Sequence, residues 1–251
     1  MRFDGVEVKV TLGRDQTESA VQKLGLPPGR PRWQIRFCED VTAGISPETP
    51  LLDRGVILRA RDKPGGKDDA TIKLRPCRRS QLTDRWLAAT EGETGDGDEW
   101  EFKLEADWSG DRRVLAASHT TDRPEGVVAG AGRERGLVEN LFVAEQLAFL
   151  RDCAGVAINL GTLTVLPPVT ATRWKSVEQV PPDLEIRAER WTVGDLDFLE
   201  LSVVADLDEA RTKQEALTGF VRSLDLVADP DQESKTRQVL ECLVKRAAEP
   251  P

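Results

Sequence analysis

The segment Glu99-Trp100-Glu101-Phe102-Lys103-Leu104-Glu105-Ala106-Asp107-Trp108 alternates polar and apolar residues without a break. Successive side chains of a strand point to opposite faces. Glu99, Glu101, Lys103, Glu105 and Asp107 therefore share one face, and the three large apolar residues and Ala106 share the other with Trp100. A helix has a period of 3.6 and would scatter these two sets around its axis. The stretch is a strand with one face on a core and one charged face. The same pattern recurs, shorter, in Glu7-Val8-Lys9, in Leu58-Arg59-Ala60-Arg61 and in Ile72-Lys73-Leu74-Arg75. A charged strand face is often just a solvated one. Here, however, cationic rows repeat on neighbouring segments of a chain with a net charge of −9. Like charges side by side are costly unless an anion lies between them, so the rows point to a polyanion.

Other segments read as strands around this one: 5–12, 32–38, Val56–Arg61, Ala70–Leu74, Val114–Thr120, Ile158–Val169, Leu184–Trp191 and Asp197–Val204. Asp62–Asp69 is a hairpin-like turn, and Glu91–Asp98 is an acidic, solvated loop. Helical spacing of apolar residues marks Asp15–Leu24, Leu137–Leu150, Asp208–Leu224 and Glu233–Arg246, with a helical turn within Gln81–Ala89. Residues 124–136 are rich in Gly and Arg and read as a loop. Many strands follow one another without an intervening helix, which favours antiparallel pairing and an α+β class. About eight two-faced strands fit a barrel or tunnel with a polar interior and flanking helices. They also fit an open sheet with one wet face.

The 251 residues, 39% hydrophobic, suffice for a sizeable core. The acidic balance argues against general nucleic-acid binding, though not against a local basic pocket. No apolar run approaches membrane-spanning length, and Met1-Arg2-Phe3-Asp4 has no signal-peptide core, so the expected location is the cytoplasm with no membrane partner. Cys38, Cys77, Cys153 and Cys242 are scattered without a CxxC pair and read as free thiols. His119, the single histidine, reads as a satisfied structural residue rather than part of a catalytic triad.

The order of these segments resembles the CYTH, or triphosphate tunnel metalloenzyme, superfamily. The family's opening Glu-x-Glu-x-Lys strand is matched by Gly5-Val6-Glu7-Val8-Lys9. Its LxxxGxxLRxR segment is matched by Leu51 through Arg61, and its Thr-x-Lys strand by Thr71-Ile72-Lys73. Arg187, in Glu185-Ile186-Arg187-Ala188-Glu189, and Glu200, in Leu199-Glu200-Leu201-Ser202, match an Arg-bearing and an acidic strand near the end. The resemblance covers roughly residues 3–226 and implies one tunnel domain over 1–226, followed by a C-terminal helix and tail over 227–251.

The resemblance further implies divalent-metal-dependent hydrolysis of inorganic triphosphate or a related organic triphosphate. Lys9, Arg59, Arg61, Lys73, Arg75, Lys103 and Arg187 would bind phosphate. Glu7, Glu105, Asp107 and Glu200 would hold Mg²⁺ or Mn²⁺ or orient water, with Glu7, Lys9 and Glu200 catalytic. Arg gives forked hydrogen bonds to phosphate oxygens and Lys a point charge. Carboxylates sharing a cavity with phosphate call for a divalent cation between them. Class IV adenylyl cyclase and thiamine triphosphatase are sibling activities of the same family, and a non-catalytic polyphosphate or nucleotide binder is the alternative. Two departures bear on the metal: Gly5 stands at the first glutamate and Ser202 at the second acid of the last strand. Cys38-Glu39-Asp40 matches the family's aromatic-Asp-Thr segment only loosely. Glu105 and Asp107, on the Lys103 face, are the candidate replacements.

Overall fold

The computed structural model describes residues 3–41, 49–131, 138–155, 157–178, 180–181, 183–230, 232 and 235–248. In chain order the strands are β1 (Val6–Leu12), β2 (Arg32–Glu39), β3 (Val56–Asp62), β4 (Asp68–Leu74), β5 (Glu91–Glu93), β6 (Glu99–Ser109), β7 (Arg112–Arg123), β8 (Thr164–Val165), β9 (Val169–Trp174), β10 (Arg187–Val193) and β11 (Leu196–Ala205). The helices are α1 (Arg14–Lys23), α2 (Pro50–Asp53), α3 (Asp84–Ala88), α4 (Val127–Ala131), α5 (Val138–Leu141), α6 (Ala144–Cys153), α7 (Ala210–Ser223) and α8 (Lys235–Ala248).

The strands run in the order β1-β11-β10-β9-β2-β3-β4-β7-β6, and β6 pairs back onto β1. That last pairing is parallel, with Glu7 beside Asp107, whereas the other neighbours in the ring are antiparallel. The sheet is thus a closed barrel with flanking helices, as expected. It closes on nine strands rather than eight and is mixed at one seam. β5 and β8 pair with β6 and β2 outside the ring.

The extra ring strand, β9, lacks the charged row that betrays β6. Its inward Val169 and Ala171 are apolar and buried, its outward Thr170 and Thr172 are half-buried and uncharged, and Arg173 and Trp174 follow. Four weakly contrasting residues are the shortest run in which a period-two signal can be read. Three further differences are local. The 158–169 stretch is mostly a 3-10 turn at Leu160–Thr162 and the two-residue β8. The 138–150 helix breaks at Phe142-Val143, where the Gln146 side chain accepts the Val143 N–H. The acidic 91–98 loop contains β5, paired with β6. In the Gly- and Arg-rich stretch, α4 is tied to the barrel by Asp68, whose Oδ2 accepts the Val128 N–H at 2.9 Å. Residues 132–137 of that stretch lie outside the described residues.

Apolar side chains form three cores. Outward residues of β3, β4, β6 and β7 pack with α3 to α6 around Trp86, Phe102 and Phe149. Outward residues of β1, β10 and β11 pack with α1 and α7. The third core lies inside the barrel wall. Ile35, Phe37, Val169, Ala171, Trp191 and Phe198 meet Val239, Leu240, Leu243 and Val244 of α8. The α8 residues recur at helical spacing on one face, so α8 closes one end of the barrel. Full burial of each such side chain contributes roughly 1.5–3 kcal/mol. Cys38, Cys77 and Cys153 are buried free thiols, and Cys242 is partly exposed. Among the described residues no helix is long and apolar enough to cross a membrane.

Candidate functional site: the charged barrel interior

The inward faces enclose a cavity of about 330 Å³. Lys9, Arg59, Arg61, Lys73, Arg75, Lys103 and Arg187 line it, as do Glu7, Glu105, Asp107 and Glu200. Barrel closure therefore gathers these eleven candidate residues, from six strands and the turn after β4, into one space. The lining also includes Arg112, Arg173, Glu101, Glu189, Gln232 and Lys235. Among the described residues it carries ten cationic side chains and six carboxylates, an inverted balance for a chain of net charge −9.

Three groups stand out. In the first, Asp107 accepts from Lys9 at 2.9 Å, from Lys73 at 3.1 Å and from Arg75 at 3.2 Å. Lys9 also meets Glu7 at 2.7 Å. Burial works to raise the Asp107 carboxyl, but Lys9, Lys73 and Arg75 outweigh it and hold it well below the usual carboxylate range. Burial works to lower Lys9, but Asp107 and Glu7 raise it. Lys73 ends lower than an ordinary lysine, first through burial and then through its cationic neighbours Lys9 and Arg75.

In the second group, Arg61 makes a forked pair with Asp69, both bonds 2.7 Å. Trp33 lies 5.5 Å from the Arg61 guanidinium and 4.6 Å from that of Arg173. Arg59 differs. Among the described residues its one side-chain hydrogen bond is a long one, 3.4 Å, to the Thr71 hydroxyl. Its Nε is buried with no hydrogen-bond partner. Burial, then Arg61, pushes the guanidinium down to about 10. A buried guanidinium without a carboxylate is costly, and an anion in the cavity would satisfy it.

In the third group, Glu189 and Glu200 are cross-strand neighbours on β10 and β11. Both accept from Lys235, at 2.8 Å each. Arg173 approaches Glu189 at 3.4 Å. Lys235 opens α8, so its arrival here was not readable from strand alternation. Arg173 was missed with β9.

The glycine at position 5 has a conformational reason. Its φ is +133°, and a Cβ there would lie 3.3 Å from the Ala205 carbonyl oxygen. The chain enters β1 through a backbone shape that side chains rarely adopt. Asp4 is not among the cavity-lining residues, and its carboxylate accepts the Leu104 N–H at 2.7 Å. Glu105 flanks Gly5, one step before the Val6–Ala106 pairing, and lines the cavity. Burial, then the nearby Glu7 charge, raises the Glu105 carboxyl. Glu7 and Glu105 are hard oxygen donors of the kind Mg²⁺ or Mn²⁺ takes, but Glu7 is already paired with Lys9 at 2.7 Å, so a cation here would bind through Glu105 and the Glu7 oxygen that Lys9 leaves open. No set of three or more His, Cys, Asp or Glu residues forms a ready-made cage among the described residues. Water or ligand oxygens would have to complete the shell. Glu39 is not part of the site: it is buried and accepts the Leu51 and Leu52 N–H groups at the start of α2.

Two solved structures share this architecture. A provisionally named adenylate cyclase from Bacillus halodurans aligns with a TM-score of 0.56 and 11% identity, over 94% of this chain and 97% of that one. A provisionally named adenylyl cyclase from Hippeastrum, with a dominant triphosphatase activity, aligns with a TM-score of 0.56 and 14% identity, over 99% and 98%. The fold is CYTH-like. Identities this low show a common fold and nothing of chemistry. No protein-family model and no curated protein matches the sequence.

Proposed function

We propose that this chain is a member of the CYTH, or triphosphate tunnel metalloenzyme, superfamily that hydrolyses inorganic triphosphate or a related organic triphosphate with the help of Mg²⁺ or Mn²⁺. The observation that carries the proposal is Arg59, a buried guanidinium with no carboxylate ion-pair partner among the described residues, in a cavity with an excess of cations. Arg59, Lys73 and Arg75 would engage the phosphate chain from one side, with Lys9 and Arg61 beside them and Lys103 and Arg187 further along the lining. Asp107 holds Lys9, Lys73 and Arg75 in one place before the ligand arrives, which lowers the ordering cost of binding. Glu7 and Glu105 would hold the cation, which supplies charge neutralisation at the phosphate oxygens. Glu200, on β11 beside β1, would orient the attacking water together with Glu7. Water attacks the terminal phosphorus in line, its P–O anhydride bond breaks, and orthophosphate and the shortened phosphate leave.

The test is orthophosphate release from a panel of triphosphates (inorganic triphosphate, ATP, thiamine triphosphate) with Mg²⁺ or Mn²⁺. Wild type is expected to release phosphate only with metal. Glu7→Gln, Lys9→Ala and Arg59→Ala are each expected to lose on the order of 10²-fold, the usual scale for removing one electrostatic contact to a transition state. Absence of metal-dependent release from every member of the panel sinks the enzyme reading. A second reading, a non-catalytic polyphosphate or nucleotide binder, is favoured by the pairing of Glu7, Asp107, Glu189 and Glu200 with lysines of the protein itself. Thermal stabilisation by triphosphate without turnover selects that reading.

A further inference from the structure

We propose that Lys235 is a built-in counter-cation that takes the place of a metal ion between Glu189 and Glu200, confining divalent cations to the Glu7–Glu105 side of the cavity. Glu189 and Glu200 sit directly across the β10–β11 ladder. Like charges in that relation destabilise a sheet, and a pair of carboxylates converging in a cavity is a common seat for a divalent ion. The space between them holds the Lys235 ammonium instead, 2.8 Å from an oxygen of each. Its side chain is 9% exposed, and its Nζ lies 4.3 Å from the centre of the Trp191 ring. Two carboxylates and an aromatic face thus surround one compact point charge.

The position of that charge is set by parts of the molecule remote from it. Lys235 is the first residue of α8, and Val239, Leu240, Leu243 and Val244 seat the helix in the barrel end. Arg237 adds a pair with Asp53 at 3.0 Å. The helix therefore delivers an ammonium to a fixed point. A divalent ion bridging Glu189 and Glu200 would need that same point, so lysine and metal exclude each other. Burial works against ionisation of Glu189, yet Lys235 and Arg173 hold it well below the usual carboxylate range, so the carboxylate stays charged without a metal.

The inference rests on the proposed metal-assisted reading only for the number of ions that wild type binds. The experiment counts Mn²⁺ bound per chain by electron paramagnetic resonance of the free ion, with no phosphate present. Lys235→Met keeps the length of the side chain over Trp191 and removes the charge. It is expected to bind one further equivalent of Mn²⁺ relative to wild type, to melt earlier in EDTA, and to regain stability on adding Mn²⁺. Lys235→Arg restores a cation and is expected to bind the wild-type number. Equal counts in wild type and Lys235→Met overturn the proposal. Should Lys235→Met fail to fold even with Mn²⁺, Glu200→Gln in the otherwise wild-type chain decides. An unchanged Mn²⁺ count supports a carboxylate already committed to Lys235, and a lower count makes Glu200 a metal ligand and overturns the proposal. Wild type binding no Mn²⁺ while Lys235→Met gains one equivalent leaves Lys235's role standing and removes the metal-assisted reading.

Discussion

At Gly5, Arg59 and His119 the same physics, a group buried away from its usual partners, has three different consequences. Gly5 is held at φ +133° with a carbonyl 3.3 Å from where a Cβ would sit. Gly5→Glu, which completes a Glu-x-Glu-x-Lys pattern, is therefore expected to cost about 1–3 kcal/mol in urea denaturation without raising the Mn²⁺ count. A gain in stability would show that the backbone relaxes. Arg59 carries an unsatisfied Nε, whose contacts a bound phosphate would complete under the proposed function. His119 is fully buried, stacked on Trp100 and edge-on to Trp86, with Nε2 unpaired. Burial, then Arg85, pushes its imidazole down to about 4 from 6.5. The unfolded chain binds this proton more readily, so the contribution is fully present above pH 6.5 and is lost as pH falls towards 4. That loss is on the order of 3 kcal/mol. His119→Phe is expected to flatten this part of the stability–pH curve, and an unchanged slope would assign acid sensitivity elsewhere. The sequence suggests a satisfied structural histidine. Structural it is, but its place inside an aromatic cluster depends on residues far away in the chain.

A long strand with one charged face was legible, and a short strand with little contrast between its faces was not. β6 has water and ligand space on one side and Trp86 and Phe149 on the other, and its sequence says so. β9 sets buried Val169 and Ala171, packed near α8, against half-buried, uncharged Thr170 and Thr172, and so carries only a faint mark. With it went Arg173. The α8 helix is the reverse case: its amphipathic pattern was clear, but the pattern does not say what the apolar face covers. The structure seats that face in the barrel end. Leu243→Ala, at a position with no exposure, is expected to cost about 2–5 kcal/mol by thermal or urea unfolding. It is also expected to weaken triphosphate binding, because α8 carries Lys235 to the cavity. Loss of stability with unchanged binding would mean that α8 is a lid over the core and nothing more.

Over the whole molecule, an acidic surface encloses a cationic cavity. The net charge of −9 would repel a polyanion at long range, whereas the ten cationic side chains of the lining attract it at contact. Salt screens exposed charges over about 8–10 Å, and it also weakens the contact pairs. Triphosphate affinity, measured by calorimetry, is expected to fall as KCl rises from low to physiological strength. Affinity that rises with salt would mean that surface repulsion outweighs the cavity. The local pattern of residues determined which faces are charged, which strands are two-faced, and which side chains belong to the cationic rows, because alternation is a property of the chain itself. It also determined that Lys9, Arg59, Arg61, Lys73 and Asp107 would point the same way as their neighbours. Only the tertiary structure decided that the sheet closes on itself through the parallel β1–β6 seam, that Glu105 stands beside Gly5, and that Lys235 lies between Glu189 and Glu200. Those facts join residues from distant parts of the sequence, and long-range register and helix docking are set by packing free energy over the whole core rather than by any local period.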